Sequence, residues 1–99
     1  MGRQLELGVE RHDGTTVVTA SGEIDMATAP ELRECLAETA GKVVVDLRAV
    51  SFLDSSGIGA LAEARSRLTD AGGDLTLRKP QGVVRTALEI VGLVEWVED

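Results

Sequence analysis

The 99 residues, 43% hydrophobic and 27% charged, have the composition of an ordinary globular chain and suit one small domain covering residues 1–99. A formal net charge of −7 argues against a nucleic-acid backbone or an anionic membrane surface as the partner. The chain has no apolar run near the ~20 residues of a membrane span and no signal-peptide pattern at its start. We therefore expect no membrane insertion and a cytoplasmic location.

The first two predicted strands form a hairpin. Apolar residues alternate with polar ones at the start of the chain, at Leu5, Leu7 and Val9. A second, β-branched run covers residues 15–20, and residues 11–14 between the two runs have turn chemistry. His12, the only histidine, falls in that turn, so we expect a solvated loop residue rather than a catalytic base.

A helix is predicted from Thr28 to about Ala40, after residues 21–25 close the second strand. Thr28 and Glu31 have the spacing of a capping box, and Gly41 stops the helix. One stripe of this helix is apolar: Ala29, Leu32, Cys35, Leu36 and Thr39 or Ala40. Asp25 lies just ahead of the helix, where two interpretations remain open: a local turn or cap carboxylate, or a residue of a partner surface.

Cys35 is the only cysteine, so it cannot form an internal disulfide, which fits a reducing cytosol. Its helical spacing with Leu32 and Leu36 predicts a packed thiol rather than a reactive one. The core must be mainly aliphatic, because Phe52 and Trp96 are the only aromatic residues.

The central stretch begins with a buried strand, Val43 to Val45, with Asp46 at its polar end. After a connector that ends at Leu53, residues 54–56 are Asp-Ser-Ser, the residue types that cap helices. A helix period follows at Ile58, Leu61, Ala64 and Leu68. Two hydroxyls thus lie at a helix N-terminus, where unpaired N–H groups and the macrodipole favour an anion. The sequence predicts either a plain N-cap or a phosphorylation switch.

The last third of the chain contains a strand, a helix and a short extended piece. Two glycines at 72 and 73 break the chain before a strand at Asp74–Arg78. Pro80 is predicted to start a third helix, Gly92 is a good residue just past its end, and residues 94–97 form the final extended piece. The helical period is carried by Val83, Val84, Ala87, Leu88 and Val91.

The predicted order is β-β-α-β-α-β-α-β. Strands that alternate with helices need crossover connections and so form a largely parallel sheet, while the first hairpin supplies an antiparallel edge. We therefore predict an α/β fold with a small mixed β-sheet of about five strands and helices packed against it.

Four segments resemble the STAS family, and within it the bacterial anti-sigma-factor antagonists most of all. They are residues 22–25, 43–47, 51–59 and 91–93, and the resemblance runs from about Leu5 to Trp96 in the order and spacing of the family. The Asp-Ser-Ser-Gly-Ile-Gly core at residues 54–59 is its most specific part.

The resemblance implies that the unphosphorylated protein captures an anti-sigma factor, itself a serine kinase of the histidine-kinase-like ATPase fold, and so frees a sigma factor. By position, the phosphorylated serine is Ser55, with Ser56 as the alternative, and a metal-dependent serine phosphatase reverses the modification. The expected partner-binding residues are Asp25, Asp54, Ser55, Ser56, Gly57, Ile58 and Gly59. No cofactor, metal ion or nucleic acid is expected.

Two other functions are considered. One is a STAS adaptor subunit of a stress complex or transporter that works without phosphorylation. The other is a serine-dependent enzyme, but Leu53 and Asp54 precede the serines where a Gly-x-Ser-x-Gly elbow needs glycine, and the sole histidine lies in a turn. The glycines at 57 and 59 are also too few for a dinucleotide fingerprint. We therefore expect a binding protein rather than an enzyme.

Overall fold

The strands of the sheet lie side by side in chain order, β1-β2-β3-β4-β5, in a computed structural model that describes residues 4–98. The elements are β1 (Leu5–His12), β2 (Thr15–Ile24), α1 (Ala29–Ala37), β3 (Lys42–Leu53), α2 (Ser55–Asp70), β4 (Asp74–Arg78), α3 (Gly82–Ile90), a 3₁₀ turn (Val94–Trp96) and β5 (Val97–Glu98). β1 and β2 are antiparallel and the other neighbouring pairs are parallel. The predicted element order and mixed sheet are confirmed.

The hairpin turns on two residues, Asp13 and Gly14, which both have positive φ angles of 50° and 83°. This is the backbone that a two-residue hairpin between twisted strands requires, and Asp-Gly is a favoured sequence for it. The prediction that His12 lies in the turn is wrong, since His12 is the last residue of β1 and pairs with Thr15. Its side chain is exposed, as expected.

Helix α1 begins and ends differently from the prediction. The capping box does not form, because the Thr28 hydroxyl donates to the Glu23 carbonyl over 2.8 Å instead of bonding to the helix. The helix ends at Ala37 rather than about Ala40, because the buried Thr39 hydroxyl donates to the Leu36 carbonyl over 2.6 Å. Arg67 of α2 donates to the same carbonyl over 2.7 Å, so a side chain from a neighbouring helix closes the end of α1.

Strand β3 is longer than predicted and carries two irregularities. It does not end at Asp46, which is buried in mid-strand with its Oδ1 accepting the N–H of Arg48 over 2.9 Å. Against β2, the register shifts once between Thr19 and Ser21 and again between Gly22 and Glu23. Each shift adds one residue to β3, which is the geometry of a β-bulge. The predicted connector is therefore the second half of the strand.

The third helix begins at Gly82 rather than at Pro80, because Lys79 has a φ angle of 52° and the chain makes a further turn before the helix. Val84 and Leu88 are buried as predicted, whereas Val83 and Val91 are exposed. Gly92 follows the helix with a φ angle of 78°, and the N–H of Leu93 donates back to the Leu88 carbonyl, which confirms its predicted place. The expected extended piece at 94–97 is mostly the 3₁₀ turn.

One continuous cluster of buried side chains joins the sheet to the helices. It includes Val18, Val43, Val45, Leu47, Leu75 and Leu77 of the sheet and Leu32, Leu36, Leu61, Leu68, Val84 and Leu88 of the three helices. Trp96 packs against this cluster, and the Arg65 guanidinium lies 4.7 Å from the centre of its ring. The C-terminal turn is thereby attached to α2. None of the helices in residues 4–98 is both long and apolar enough to cross a membrane.

Candidate functional site

The candidate site lies where β2 and β3 end beside each other. Ile24 and Leu53 are paired at the last position of the two strands, and the N–H of Asp54 donates to the Ile24 carbonyl over 3.2 Å. The loop after β2 and the first turn of α2 therefore leave the sheet together. We call this region the serine surface and define it as Asp25, Met26, Phe52 and residues 54–59.

Asp54 caps helix α2. Its Oδ1 accepts the N–H of Ser56 over 2.9 Å and that of Gly57 over 3.3 Å, and its carbonyl accepts the N–H of Ile58. Because this carboxylate satisfies the first N–H groups, the cap needs neither serine hydroxyl. Of the three predicted cap-type residues, only Asp54 caps the helix through its side chain.

Ser55 is the first residue of α2 and is exposed, while Ser56 is half-buried. Within residues 4–98, neither serine hydroxyl makes a hydrogen bond. A phosphate on Ser55 would therefore break no existing contact of the hydroxyl and would lie at the positive end of the helix dipole. A phosphate on Ser56 would have less free space, because this residue is half-buried among other protein atoms.

The two glycines of the serine surface have different surroundings. Gly57 is buried, and a Cβ added to it would lie 2.5 Å from side-chain carbons of both Ile24 and Leu53. The start of α2 thus packs so closely on the sheet that a larger residue at position 57 would have to displace the Ile24 or Leu53 side chain. Gly59 has open space at the corresponding position, with no atom within 4 Å. Packing within the protein therefore explains why residue 57 is glycine, but it does not explain why residue 59 is glycine.

Asp25 has a local role. Its Oδ1 accepts the N–H groups of Ala27 and Thr28, each over 3.0 Å, and contacts the Thr28 hydroxyl at 3.2 Å. Its own N–H donates to that hydroxyl over 2.9 Å. This bonding fixes the loop between β2 and α1, which is the local interpretation that the sequence left open. Whether Asp25 also contacts a partner stays a prediction.

The sequence does not predict that the serine surface exposes two large apolar side chains. Met26 follows Asp25 and is 79% exposed, and Phe52 pairs with Glu23 near the end of β3 and is 45% exposed. The sequence predicts a connector at Phe52, and Met26 belongs to no predicted stripe. One sequence signal could have identified them as surface residues. Met26 directly follows the segment 22–25 and Phe52 lies within the segment 51–59, in a chain that buries most of its other large apolar side chains.

The other singled-out side chains lie elsewhere. Burial, with a smaller contribution from the charge of Glu38, raises the pKa of the Cys35 thiol. This thiol is thus less ionised than a free cysteine at neutral pH, in agreement with the predicted packed thiol. His12 is at the opposite end of the sheet from Ser55, because it pairs with Thr15 where β2 begins. Residues 4–98 contain no cluster of three or more His, Cys, Asp or Glu that could hold a metal ion.

Comparisons with known proteins agree on one family. The model of the STAS domain matches residues 6–98. The "Anti-sigma-B factor antagonist" of Listeria monocytogenes is 31% identical over 93 residues, which cover 90% of this chain and 82% of that protein. A crystal structure of an anti-sigma factor antagonist from Mycobacterium paratuberculosis is 35% identical, with a TM-score of 0.82, and the match covers 94% of this chain and 82% of that one.

The anti-sigma factor antagonist SpoIIAA has the same fold in two states. Its unphosphorylated form matches with a TM-score of 0.84 at 24% identity, covering 95% of this chain and 87% of that one. The phosphorylated form, from Bacillus, matches with a TM-score of 0.76 at 23% identity, covering 95% and 90%. At this level of identity, the likeness shows the fold alone.

Proposed function

The chain belongs to the STAS domain family, and from this premise we propose that it is an anti-sigma-factor antagonist that acts through the serine surface. In this proposal the unphosphorylated form binds an anti-sigma factor and so frees a sigma factor. The anti-sigma factor is a serine kinase of the histidine-kinase-like ATPase fold, it phosphorylates Ser55, and a serine phosphatase reverses the modification. The cytoplasm is the compartment in which these partners would meet.

One observation carries the choice of Ser55: it is exposed at the first position of α2, while Asp54 provides the cap. A kinase needs an accessible hydroxyl, and a regulatory site benefits when its modification leaves the fold intact. Both conditions hold for Ser55, because its hydroxyl makes no contact that stabilises the helix. Ser56 is the alternative acceptor, but its half-buried position makes it harder to reach.

Phosphorylation would act on binding through charge. A phosphate adds about −1.5 to −2 charges at pH 7 next to the Asp54 carboxylate. A partner surface shaped for a neutral hydroxyl would have to bury this charge without a counter-ion, which commonly costs a few kcal/mol. At ~1.4 kcal/mol for each tenfold change in affinity, binding would weaken by about two orders of magnitude or more.

Met26 and Phe52 supply the apolar part of the proposed interface. Methionine and phenylalanine are enriched in the centres of protein interfaces, where a few well-buried side chains contribute most of the affinity. Each has an acidic neighbour, since Asp25 precedes Met26 in the chain and the exposed Glu23 pairs with Phe52 across the two strands. We therefore expect the partner to offer an apolar pocket with a basic rim.

A serine-dependent enzyme finds less support. The length of β3 separates His12 from Ser55, so the only histidine cannot activate this hydroxyl within one chain. The similar proteins from Listeria monocytogenes and Mycobacterium paratuberculosis are named as anti-sigma factor antagonists. We propose that this chain likewise binds and is modified rather than catalysing a reaction.

The proposal is tested with the serine-kinase anti-sigma factors of the source organism, each purified separately. With ADP, one of them should bind the unmodified chain in a calorimetric titration. With ATP and magnesium, the same protein should add one phosphate, which peptide mass spectrometry should locate at Ser55. Binding that ignores ATP would favour the adaptor function, and absence of binding to every such kinase would contradict the proposal.

A further inference from the structure

Strand β1 forms an open edge of the sheet. It pairs with β2 without interruption over all eight of its residues, and within residues 4–98 no strand pairs with its other side. Natural edge strands are often protected by proline, charged side chains, a bulge or short length. β1 carries the charges of Glu6, Glu10 and Arg11, but it contains neither proline nor lysine, has no register shift against β2, and exposes 54% of Val9.

Along β1, the backbone N–H and C=O groups of successive residues point alternately toward β2 and away from it, and the structure shows which residues point which way. The N–H of Glu23 donates to the carbonyl of Gln4 over 2.8 Å, so these two residues form a hydrogen-bonded pair of the antiparallel ladder. Every second residue after Gln4 then bonds to β2, up to His12. The N–H and C=O groups of Leu7, Val9 and Arg11 point away from β2 and are available to another strand.

We propose that a second copy of this chain adds its own β1 to this edge, antiparallel, with the two-fold axis at Val9. In this register, Val9 faces Val9 of the second copy as a hydrogen-bonded pair, and Leu7 faces Arg11 on each side. The outward backbone groups of both strands then meet each other. The exposed Val9 gains an apolar neighbour on the helix side of the sheet, where Leu7 already packs on the core.

The polar side chains on the other face of β1 select this register over the neighbouring one. With the axis at Val9, Glu6 faces His12 of the second copy, so an acceptor meets a donor, and Gly8 faces Glu10. With the axis one residue earlier, at Gly8, Glu6 would face Glu10, and like charges directly opposite each other are destabilising. An axis at Arg11 would place two arginines together.

The expected dimer is weak and reversible. A single pair of strands buries less surface than the roughly 1,200 to 2,000 Å² of a stable interface. Each copy also carries a net charge of −7, which opposes association. The proposal is independent of the function proposed above, since it concerns another edge of the sheet and a different partner.

The first test is sedimentation velocity from micromolar to millimolar protein. Wild type should shift from monomer to dimer, and Val9→Lys should weaken this association at least tenfold. Ile90→Lys is the matched control, because Ile90 is 78% exposed on α3, and it should associate like wild type. Equal thermal melts of the dilute variants establish that they fold. A wild type that stays monomeric, or a Val9→Lys variant that associates equally, would overturn the proposal.

The second test measures the register. In a Cys35→Ser background, a short bismaleimide should link Val9→Cys into a dimer, because the two new thiols face each other across the axis. Gly8→Cys in the same background should link more slowly, since Gly8 faces Glu10 rather than itself. Faster linking at Gly8 than at Val9 would overturn the proposed register and place the two-fold axis at Gly8.

Discussion

The N–H of Asp54 donates to the carbonyl of Ile24, and this one bond connects the start of α2 to the end of β2. It brings the serines of residues 55 and 56 next to the loop that Asp25 organises, although about thirty residues separate the two segments in the chain. The site is therefore assembled by the ends of two neighbouring parallel strands, the usual place for a binding site in an α/β sheet.

Ser55→Ala should abolish phosphorylation without a measurable loss of stability. The Ser55 hydroxyl makes no hydrogen bond in residues 4–98 and Asp54 keeps the cap, so we expect a change in unfolding free energy within about 0.5 kcal/mol. Intact-mass spectra after kinase treatment and a urea titration measure the two effects. Ser56→Ala is the control and should still accept one phosphate. A stoichiometric phosphate on Ser55→Ala would move the site to another residue.

Asp54→Ala should destabilise the fold by about 1 kcal/mol, because the N–H groups of Ser56 and Gly57 lose their acceptor. Asp54→Asn keeps an oxygen in the same place and should remain within a few tenths of a kcal/mol of wild type. Urea unfolding of the pair separates the capping role from the charge. Equal stabilities of Asp54→Ala and wild type would refute the assignment of the cap.

The glycines at 57 and 59 should respond oppositely to alanine. Gly57→Ala forces a methyl group against Ile24 and Leu53, and such overpacking typically costs about 1 to 3 kcal/mol. Gly59→Ala meets open space and should stabilise α2 by up to ~1 kcal/mol, through helix propensity.

Thermal melts measure both glycine variants, and a titration with the anti-sigma factor gives a further readout. If Gly59 is retained because a partner approaches the helix closely, Gly59→Ala should bind more weakly even though it is more stable. Unchanged affinity would mean that no partner group lies over this position.

Met26→Ala should weaken anti-sigma-factor binding by about tenfold or more, in line with a buried apolar side chain at an interface centre. Ile90→Ala is a matched control, because Met26 is 79% exposed and Ile90 is 78% exposed, but Ile90 lies on α3. Neither change should alter the melting temperature much, since both side chains are mostly in solvent. Equal affinities of the two variants would remove Met26 from the interface.

Phosphorylation at Ser55 should change binding far more than stability. The helix N-terminus stabilises the new charge by roughly 0.3 to 1 kcal/mol, and repulsion from Asp54 opposes it by a similar amount in solvent. We expect the unfolding free energy to shift by less than about 1 kcal/mol. Amide hydrogen exchange on both forms checks this, and a broad loss of protection in Val43, Val44 and Val45 would contradict it.

The sequence predicted the elements whose periodicity is regular and missed those where the backbone departs from it. Strand β4 was predicted with its observed bounds, because Leu75 and Leu77 alternate with polar residues between clear turn signals. The two bulges of β3 break the alternation, so its second half resembled a connector. Asp46 looked like a strand end, because the sequence does not reveal that the N–H of Arg48 satisfies the buried carboxylate.

For the candidate site, the sequence supplied the motif but not the division of roles within it. Three cap-type residues in a row are equivalent by composition, and only the geometry assigns the cap to Asp54. The exposure of Met26 and Phe52 depends on how the loop and the bulged strand turn their side chains, which no local pattern encodes. The reason for Gly57 likewise lies in contacts with Ile24 and Leu53, one of them distant in sequence.

The contact between Arg65 and Trp96 gives the protein a built-in optical reporter. Trp96 is the only tryptophan and the chain has no tyrosine, so ultraviolet emission arises essentially from one ring, held beside the guanidinium of α2. Its fluorescence therefore follows the attachment of the C-terminal turn to α2. Circular dichroism follows the whole backbone, and comparing the two signals during unfolding will show whether the C-terminal turn detaches before the sheet or together with it.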